Sequence, residues 1–419
     1  MTKKSPIALA ALLLAVGTAS LSLMPNQAFA QASASAAAST PQNTVRKEMG
    51  KPFAELEKLI TAKQFPQALE KMKEFDAFEK KTPYEEFSIQ RMNAVIASNT
   101  SNTALLAASF ESMINSGFLN MAEKLKFSEG MAGTYYNEKK YDLSKKWALR
   151  ALELDPNSKS TRELLPRIMY LQEDYAGAVK ELTLQLEAEE KANRVPSFDL
   201  LHLIISCHLK TKNMDGYTQV LERMVAYYPK KEYWGDLLYR VIGKPTFAER
   251  LRLDWYRLLF ATDNLEDAAQ YAEMAELALF AGLPQEAKKV VEAGFAANLL
   301  GTGKDAAKHK PLREKAIRQA AEDAKSMEAG DAAAKAAKTG IGMVNTGYNY
   351  VVYGQFEKGI AMIEQGIAKG GLKAPEEAKL HLGMAYLQSG NKAKAAEIFK
   401  TIQGSDGTAD LGRFWLLMK

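Results

Sequence analysis

The sequence predicts an all-α chain built from antiparallel helix pairs, and three observations carry that prediction. A block containing Tyr135-Tyr136, Lys140-Tyr141-Asp142, Ala148 and Ala151-Leu152-Glu153-Leu154-Asp155-Pro156 spells two short amphipathic runs with a tight break between them. Pieces of the same pattern return 34 to 36 residues later. Tyr175, Ala178 and Leu182 repeat the spacing of Tyr141, Ser144 and Ala148, and Gly383, Gly390 and Ala395 repeat that of Gly347, Gly354 and Gly359. A unit of this length buries its apolar face only by stacking on its neighbours, so the core runs along the chain rather than forming one centre. With 47% hydrophobic and 25% charged residues, the composition supplies such a core and a soluble surface.

Five stretches follow in order. Residues 1–30 carry the parts of a secretory signal: Lys3 and Lys4, an apolar run over 7–16, and Ala28-Phe29-Ala30 before Gln31. That run is short for a membrane anchor, so cleavage after Ala30 and delivery to the periplasm are expected. Lipid attachment there needs a cysteine, and the chain's one cysteine is Cys207. Residues 31–50, which open on Ala, Ser and Gln, read as a flexible leader. Helical repeats then fill 51–300. Phe65, Ala68 and Met72 mark the first, Met214, Tyr217, Leu221 and Pro229 another, and Gly282, Ala287 and Val291 a later one, while 84–115 and 232–261 keep the rhythm without the signature.

Pro166 falls inside the first helix of its unit, where its missing N–H should kink or restart that helix. Residues 301–340 turn to Gly, Lys and Ala. A loose connection over 301–310 is expected to lead into a helix, because Ala, Lys and Glu are strong helix formers. Residues 341–419 return to repeats and end on Leu411, Phe414, Trp415 and Leu416 at helical spacing, a terminal helix that covers the last repeat. In all, roughly eight to ten helical pairs are expected.

The glycines Gly347, Gly354, Gly359, Gly383 and Gly390 are expected to let helix backbones approach closely. Together with Tyr135-Tyr136, Ala148 and Pro156, they give the chain a pattern that resembles the tetratricopeptide repeat. The resemblance implies a right-handed superhelical solenoid of antiparallel helix pairs with a C-terminal capping helix. It also implies a concave face, lined by the first helices, that receives a partner peptide or domain. The family's groove positions fall on Glu129, Gly133, Tyr136 and Asn137, on Glu163, Arg167, Tyr170 and Leu171, and on His202, Val344, Tyr348, Met384 and Gln388. Tyr136, Asn137, Arg167, His202, Tyr348, Met384 and Gln388 are the candidate partner-binding residues. One subgroup of the family clamps a C-terminal carboxylate with lysine and asparagine one turn apart. Here the equivalent places hold Glu129 and Gly133, Val344 and Tyr348, or Leu380 and Met384, which does not support such a clamp.

Chemistry-bearing motifs are sparse. His202 and His208 are six apart, on different faces of a helix, where a metal pair needs three or four. His208 falls at an aromatic core position. Gly301-Thr302-Gly303-Lys304 lacks both the preceding strand and the full length of a phosphate-cradling loop. No Gly-x-Ser-x-Gly elbow or triad spacing occurs. No catalytic residue, metal site or cofactor is therefore expected. The net charge of +5 falls to +3 once Lys3 and Lys4 leave with the signal, which favours neither nucleic acid nor an anionic membrane surface. No later stretch is apolar for the ~18 residues a membrane span needs. Cys207 sits in the apolar run 200–209 and reads as a buried, inert thiol. The expectation for function is a non-enzymatic protein-binding scaffold in the bacterial cell envelope. The alternative is a glycan or small-molecule binder, for instance of peptidoglycan fragments, using the same groove.

Overall fold

The structure is a computed structural model that describes residues 43–418. The signal peptide, its cleavage site and the leader as far as residue 42 lie outside the described residues. Within them every regular element is helical: twenty α-helices and two short 3-10 segments. They form two compact units, one ending at Glu187 and the other starting at Ala188.

The first unit contains α1 (Lys47–Thr61), α2 (Phe65–Met72), α3 (Pro83–Asn99), α4 (Thr103–Asn115), α5 (Met121–Asn137), α6 (Tyr141–Leu154), α7 (Lys159–Leu171) and most of α8 (Tyr175–Lys191), whose last four residues fall past the boundary. Helix α1 starts inside the stretch expected as leader, because Met49 belongs to the apolar stripe that packs with Phe53 and Leu56 onto Ala68, Met72 and Phe75. Local signals fix the helix starts. Thr82 with Glu85 and Asn120 with Glu123 form capping boxes that satisfy otherwise orphaned N–H groups. Glu85 is also gripped by Arg46, whose Nε donates to Oε1 at 2.9 Å and whose Nη2 donates to Oε2 at 2.7 Å. That fork is the main reason its carboxyl is held down at about 2, against the opposing effect of burial. Helices α5 and α6 interlock where Ser144 Oγ donates to the Ala132 carbonyl at 2.7 Å beside the buried Trp147 and Ala148.

Pro166 does not restart its helix: α7 runs unbroken through it. The proline leaves the Arg162 carbonyl without its usual N–H partner, and the Gln185 side chain of α8 donates to that oxygen at 2.7 Å instead.

The second unit contains α9 (Phe198–Lys210), α10 (Met214–Tyr227), α11 (Lys231–Ile242), α12 (Arg252–Ala261), α13 (Ala268–Phe280), α14 (Pro284–Ala296), α15 (Ala306–Ala336), α16 (Ile341–Val352), α17 (Phe356–Lys369), α18 (Pro375–Gln388), α19 (Lys392–Lys400) and α20 (Thr408–Leu417). The Ala/Lys-rich stretch is the single long helix α15. Its start is anchored: the Gly301 N–H donates to His309 Nδ1 at 3.1 Å, and Arg313 forks onto Glu292 at 2.9 and 2.6 Å.

Helix α12 is not a surface helix. Leu253 through Leu259 are all buried, including the charged Asp254 and Arg257, so it is enclosed on every side. Helix α20 completes the enclosure. Besides covering α18 and α19 as a terminal cap, it packs on α10 and α12. The seam is ionic. Lys244 reaches Asp410 at 2.7 Å, Arg413 reaches Glu222 at 3.1 Å, and Arg250 bonds Asp406 in the turn before α20. The Ala248 N–H adds a backbone bond to the Asp406 carbonyl at 2.9 Å. The second unit thus closes on itself.

One helix ending recurs. Lys63, Ser101, Lys139, Glu173, Asn193, Lys212, Asp263, Gly282, Asn298, Gly354 and Gly390 all have φ between +51° and +85°, and each follows its helix's last residue by two. The next N–H reaches back across the turn, as Lys140 does to the Tyr135 carbonyl and Asn391 to the Tyr386 carbonyl. This is the left-handed cap that closes a helix by satisfying its last carbonyls. Gly354 and Gly390 do this work, with open space where a Cβ would stand, so close helix approach is not their role. Gly347, Gly359 and Gly383 do mediate close approach, since a Cβ on any of them would lie under 3 Å from a facing helix.

Candidate functional site

Counting back from the left-handed residue gives these helices a common frame. Six residues before it stand Gly133 (α5), Arg167 (α7), Ser206 (α9), Arg257 (α12), Glu276 (α13), Tyr348 (α16) and Met384 (α18). Two residues before it stand Asn137, Leu171, Phe280 and Gln388 on α5, α7, α13 and α18. The sequence-derived groove residues therefore share one register, but the two units treat that register differently.

In the first unit it is open. Asn137, Arg167 and Leu171 are exposed and Tyr136 is half-buried. Arg167 makes no ion pair among the described residues. A Cβ on Gly133 would meet nothing within 4 Å, which leaves a notch in α5 beside Tyr136. The tyrosines bordering this face are braced from behind. Tyr136 lies 6.1 Å from Tyr141, and the equivalent Tyr170 meets Tyr175 edge-on at 5.3 Å. Glu129 is already committed, since its Oε1 accepts from Ser158 Oγ and Ser160 Oγ at 2.5 and 2.6 Å, tying α5 to the start of α7.

In the second unit the register is divided. His202 is exposed on α9 and stacks on Phe198 at 5.7 Å, with Tyr228 edge-on to the same ring. Gln388 is exposed too. Tyr348 and Met384, in contrast, are each only 2% accessible and offer no surface to a partner. At Tyr348 the cause is α12: its own residue at the same register, Arg257, places its guanidinium 4.8 Å from the centre of the Tyr348 ring. The C-terminal groove is filled by the chain itself.

The filling is a charged cluster. Arg257 donates through Nε and Nη2 to the two Glu286 oxygens at 2.8 and 2.7 Å, and through Nη1 to Asp254 Oδ1 at 2.6 Å. His381 Nε2 lies 3.0 Å from the same Asp254 oxygen, and its ring stacks on Tyr348 at 4.7 Å. Burial pushes the Asp254 carboxyl up, but His381 and Arg257 outweigh it and hold it at about 2. Burial also opposes the Arg257 charge, which Glu286 and Asp254 nevertheless keep firmly in place. Glu377 is raised by burial, with His381 and Arg250 working against that rise.

Asp254, Glu377 and His381 bring three metal-ligand atoms within 4.8 Å of one another, a grouping the sequence does not reveal. Each carboxylate already has a guanidinium, Arg257 at 2.6 Å and Arg250 at 2.9 Å. A metal ion would have to displace Arg257 from the oxygen it needs, so this donor set fits an internal ion network and not a metal centre. Cys207 is fully buried, which raises its thiol to about 11 and leaves it protonated. His208 is packed against Gly216, its proton affinity lowered by burial.

One exposed residue escaped the sequence reading. Phe280 is 93% accessible at the end of α13, in the same register position as Asn137 and Gln388. The signal was available: Phe280 precedes Gly282 by two, as Gln388 precedes Gly390.

Residues 130–158 and 376–407 match the family model of the tetratricopeptide repeat. No curated protein sequence matches the chain. Among solved structures, similarity extends to the Naa15/Naa10 assembly bound to HypK-THB, at 15% identity over 84% of this chain and 63% of that one, with a TM-score of 0.32. This chain therefore spans less than two thirds of that structure's length. A tetratricopeptide repeat protein from Parabacteroides merdae matches at 13% identity over 70% of this chain and 99% of that one, with a TM-score of 0.26. The TPR2AB-domain:pHSP90 complex of yeast Sti1 matches at 12% over 71% and 100%, with a TM-score of 0.23. Scores this low carry no argument about shape or partner.

Proposed function

We propose that this chain, two stretches of which match the tetratricopeptide-repeat family model, works as a protein-binding scaffold of the bacterial cell envelope, with no chemistry of its own, and that its partner is held by the first unit. One observation carries the choice of unit. The groove register is open on α5 and α7, where Asn137, Arg167 and Leu171 are exposed, Tyr136 is half-buried and a Cβ on Gly133 would meet nothing, whereas on α16 Tyr348 is covered by Arg257. A half-buried aromatic, an arginine without an ion pair among the described residues and an exposed leucine supply the mix of apolar anchor and polar rim that protein recognition uses. The envelope setting rests on the signal-like residues 1–30.

The test is affinity capture from envelope extract with the chain from Gln31 onward, compared with a Tyr136→Ala/Arg167→Ala double variant. Arg167 is exposed and Tyr136 only half-buried, so the variant is expected to keep its helical circular-dichroism signal. A discrete protein captured by the wild type and lost with the variant supports the proposal. Capture unchanged by the double variant would move the site off this face. Recovery of a bound sugar in place of a protein would turn the reading towards glycan binding.

A further inference from the structure

The Arg257 cluster is more specific than burial of a charge requires. Three helices other than α12 converge on one planar cation. Glu286 of α14 meets it fork to fork, at 2.8 and 2.7 Å. Tyr348 of α16 lies beneath it at 4.8 Å, and His381 of α18 stacks on Tyr348 at 4.7 Å with Nε2 3.4 Å from Arg257 Nη1. Asp254 takes the remaining edge at 2.6 Å. A two-point carboxylate fork combined with an aromatic stack recognises the flat guanidinium and discriminates against an ammonium, which has neither the fork nor the π face. The register adds a second observation. Arg257 occupies on α12 the position that Tyr348 and Met384 occupy on α16 and α18, so a groove residue of one helix lies in a groove formed by others.

We infer that Glu286, Tyr348 and His381 form an arginine-binding pocket whose present occupant is the chain's own Arg257. The second unit is then a groove held by an internal ligand, and a protein entering it must bring an arginine to replace the one it displaces. The inference is independent of the partner face on the first unit, because its test reads residues of the second unit only.

Arg257→Gly removes the side chain from Cβ outward and leaves a space that propylguanidinium matches atom for atom. The experiment follows the thermal midpoint of the full chain while propylguanidinium is titrated in, with propylammonium as the control cation. The variant is expected to melt well below the wild type. Its midpoint should then climb with the logarithm of the propylguanidinium concentration, as mass action requires of a ligand that binds only the folded state. Propylammonium should give no such rise, and the wild type, already occupied, should show none with either. If Arg257→Gly is unfolded on its own, the same titration reads recovery of helical signal. Adding Glu286→Gln should abolish the response by removing the fork. A flat titration, an equal response to propylammonium, or a response that survives Glu286→Gln overturns the pocket.

Discussion

Gly359→Ala and Gly133→Ala make the same chemical change and should move stability in opposite directions. A Cβ on Gly359 would lie 2.6 Å from the Gly347 carbonyl oxygen, 2.7 Å from Val351 Cγ2 and 2.9 Å from the Val351 nitrogen. Two of those obstacles are backbone and cannot rotate away, so α16 and α17 must separate. Separation loosens the cluster of Met343, Tyr350 and Met362 packed around the crossing. Overpacking of this kind costs about 1–3 kcal/mol, occasionally more, and the gain in helix propensity offsets only about 1 kcal/mol. The backbone obstacles place Gly359→Ala at the upper end, for a net loss on the order of 2 kcal/mol. Gly133 lies mid-helix with nothing within 4 Å of a would-be Cβ, so the propensity gain of about 1 kcal/mol stands unopposed. Urea unfolding followed by far-UV circular dichroism measures both, each read on the transition of the unit that holds the mutation. A Gly359→Ala midpoint equal to or above wild type would refute the close-crossing argument. A destabilised Gly133→Ala would refute the notch.

Other expectations follow from single features. Lys139 holds a left-handed backbone at φ 60° without being glycine, so Lys139→Gly should stabilise the first unit by up to about 1 kcal/mol in the same urea assay. Glu85, depressed from 4.5 to about 2 by Arg46, stabilises the first unit at every pH above 4.5 and loses that contribution as pH falls towards 2. Glu85→Gln should lower stability at pH 7 by about 2 kcal/mol and flatten the acid limb of a stability-against-pH profile, a difference that vanishes if the pair is unimportant. Lys244→Ala with Arg413→Ala removes two partly exposed ion pairs from the α20 seam, at a cost of about 0.2–1 kcal/mol each. Hydrogen exchange of the Ala248 amide and of α20 should quicken several-fold while α16 and α17 stay protected, and high salt should mimic the effect in the wild type.

What the sequence made legible is local. Tyr141, Ala148, Gly347 and Gly383 announce helix pairs because each constraint acts between residues within one unit of about 34 residues. The role of a given glycine was less legible. Gly354 and Gly359 look alike in the string, yet one turns the chain at φ +81° and the other lets α17 touch α16. Helix-end chemistry tells them apart only after the ends are placed. Lys139 and Glu173 take the same left-handed conformation and leave no compositional trace. Pro166 misled for a related reason: the carbonyl it orphans is answered by Gln185, a partner supplied by the next helix.

The groove shows where local reasoning stops. Tyr136 is half-buried and Arg167 exposed, and a Cβ on Gly133 would meet nothing within 4 Å. Tyr348 holds the same frame position as Arg167 and is buried, because Arg257 arrives from far back in the chain: 91 residues separate it from Tyr348 and 124 from His381. The closure by α20 spans further still, with Lys244 and Asp410 separated by 166 residues and Glu222 and Arg413 by 191. Contacts of that range impose no periodicity on the string. A repeat pattern states which residues face inward and is silent on what fills the space they face. Two units built on one register can therefore present an open face in one and a filled one in the other, and only the distribution of paired and unpaired charge separates the two. Arg167 and Arg257 hold the same place in the frame. The first lacks an ion-pair partner among the described residues, while the second is held by Asp254 and Glu286. That difference, more than the repeat itself, is the ground for proposing partner binding on the first unit and self-recognition within the second.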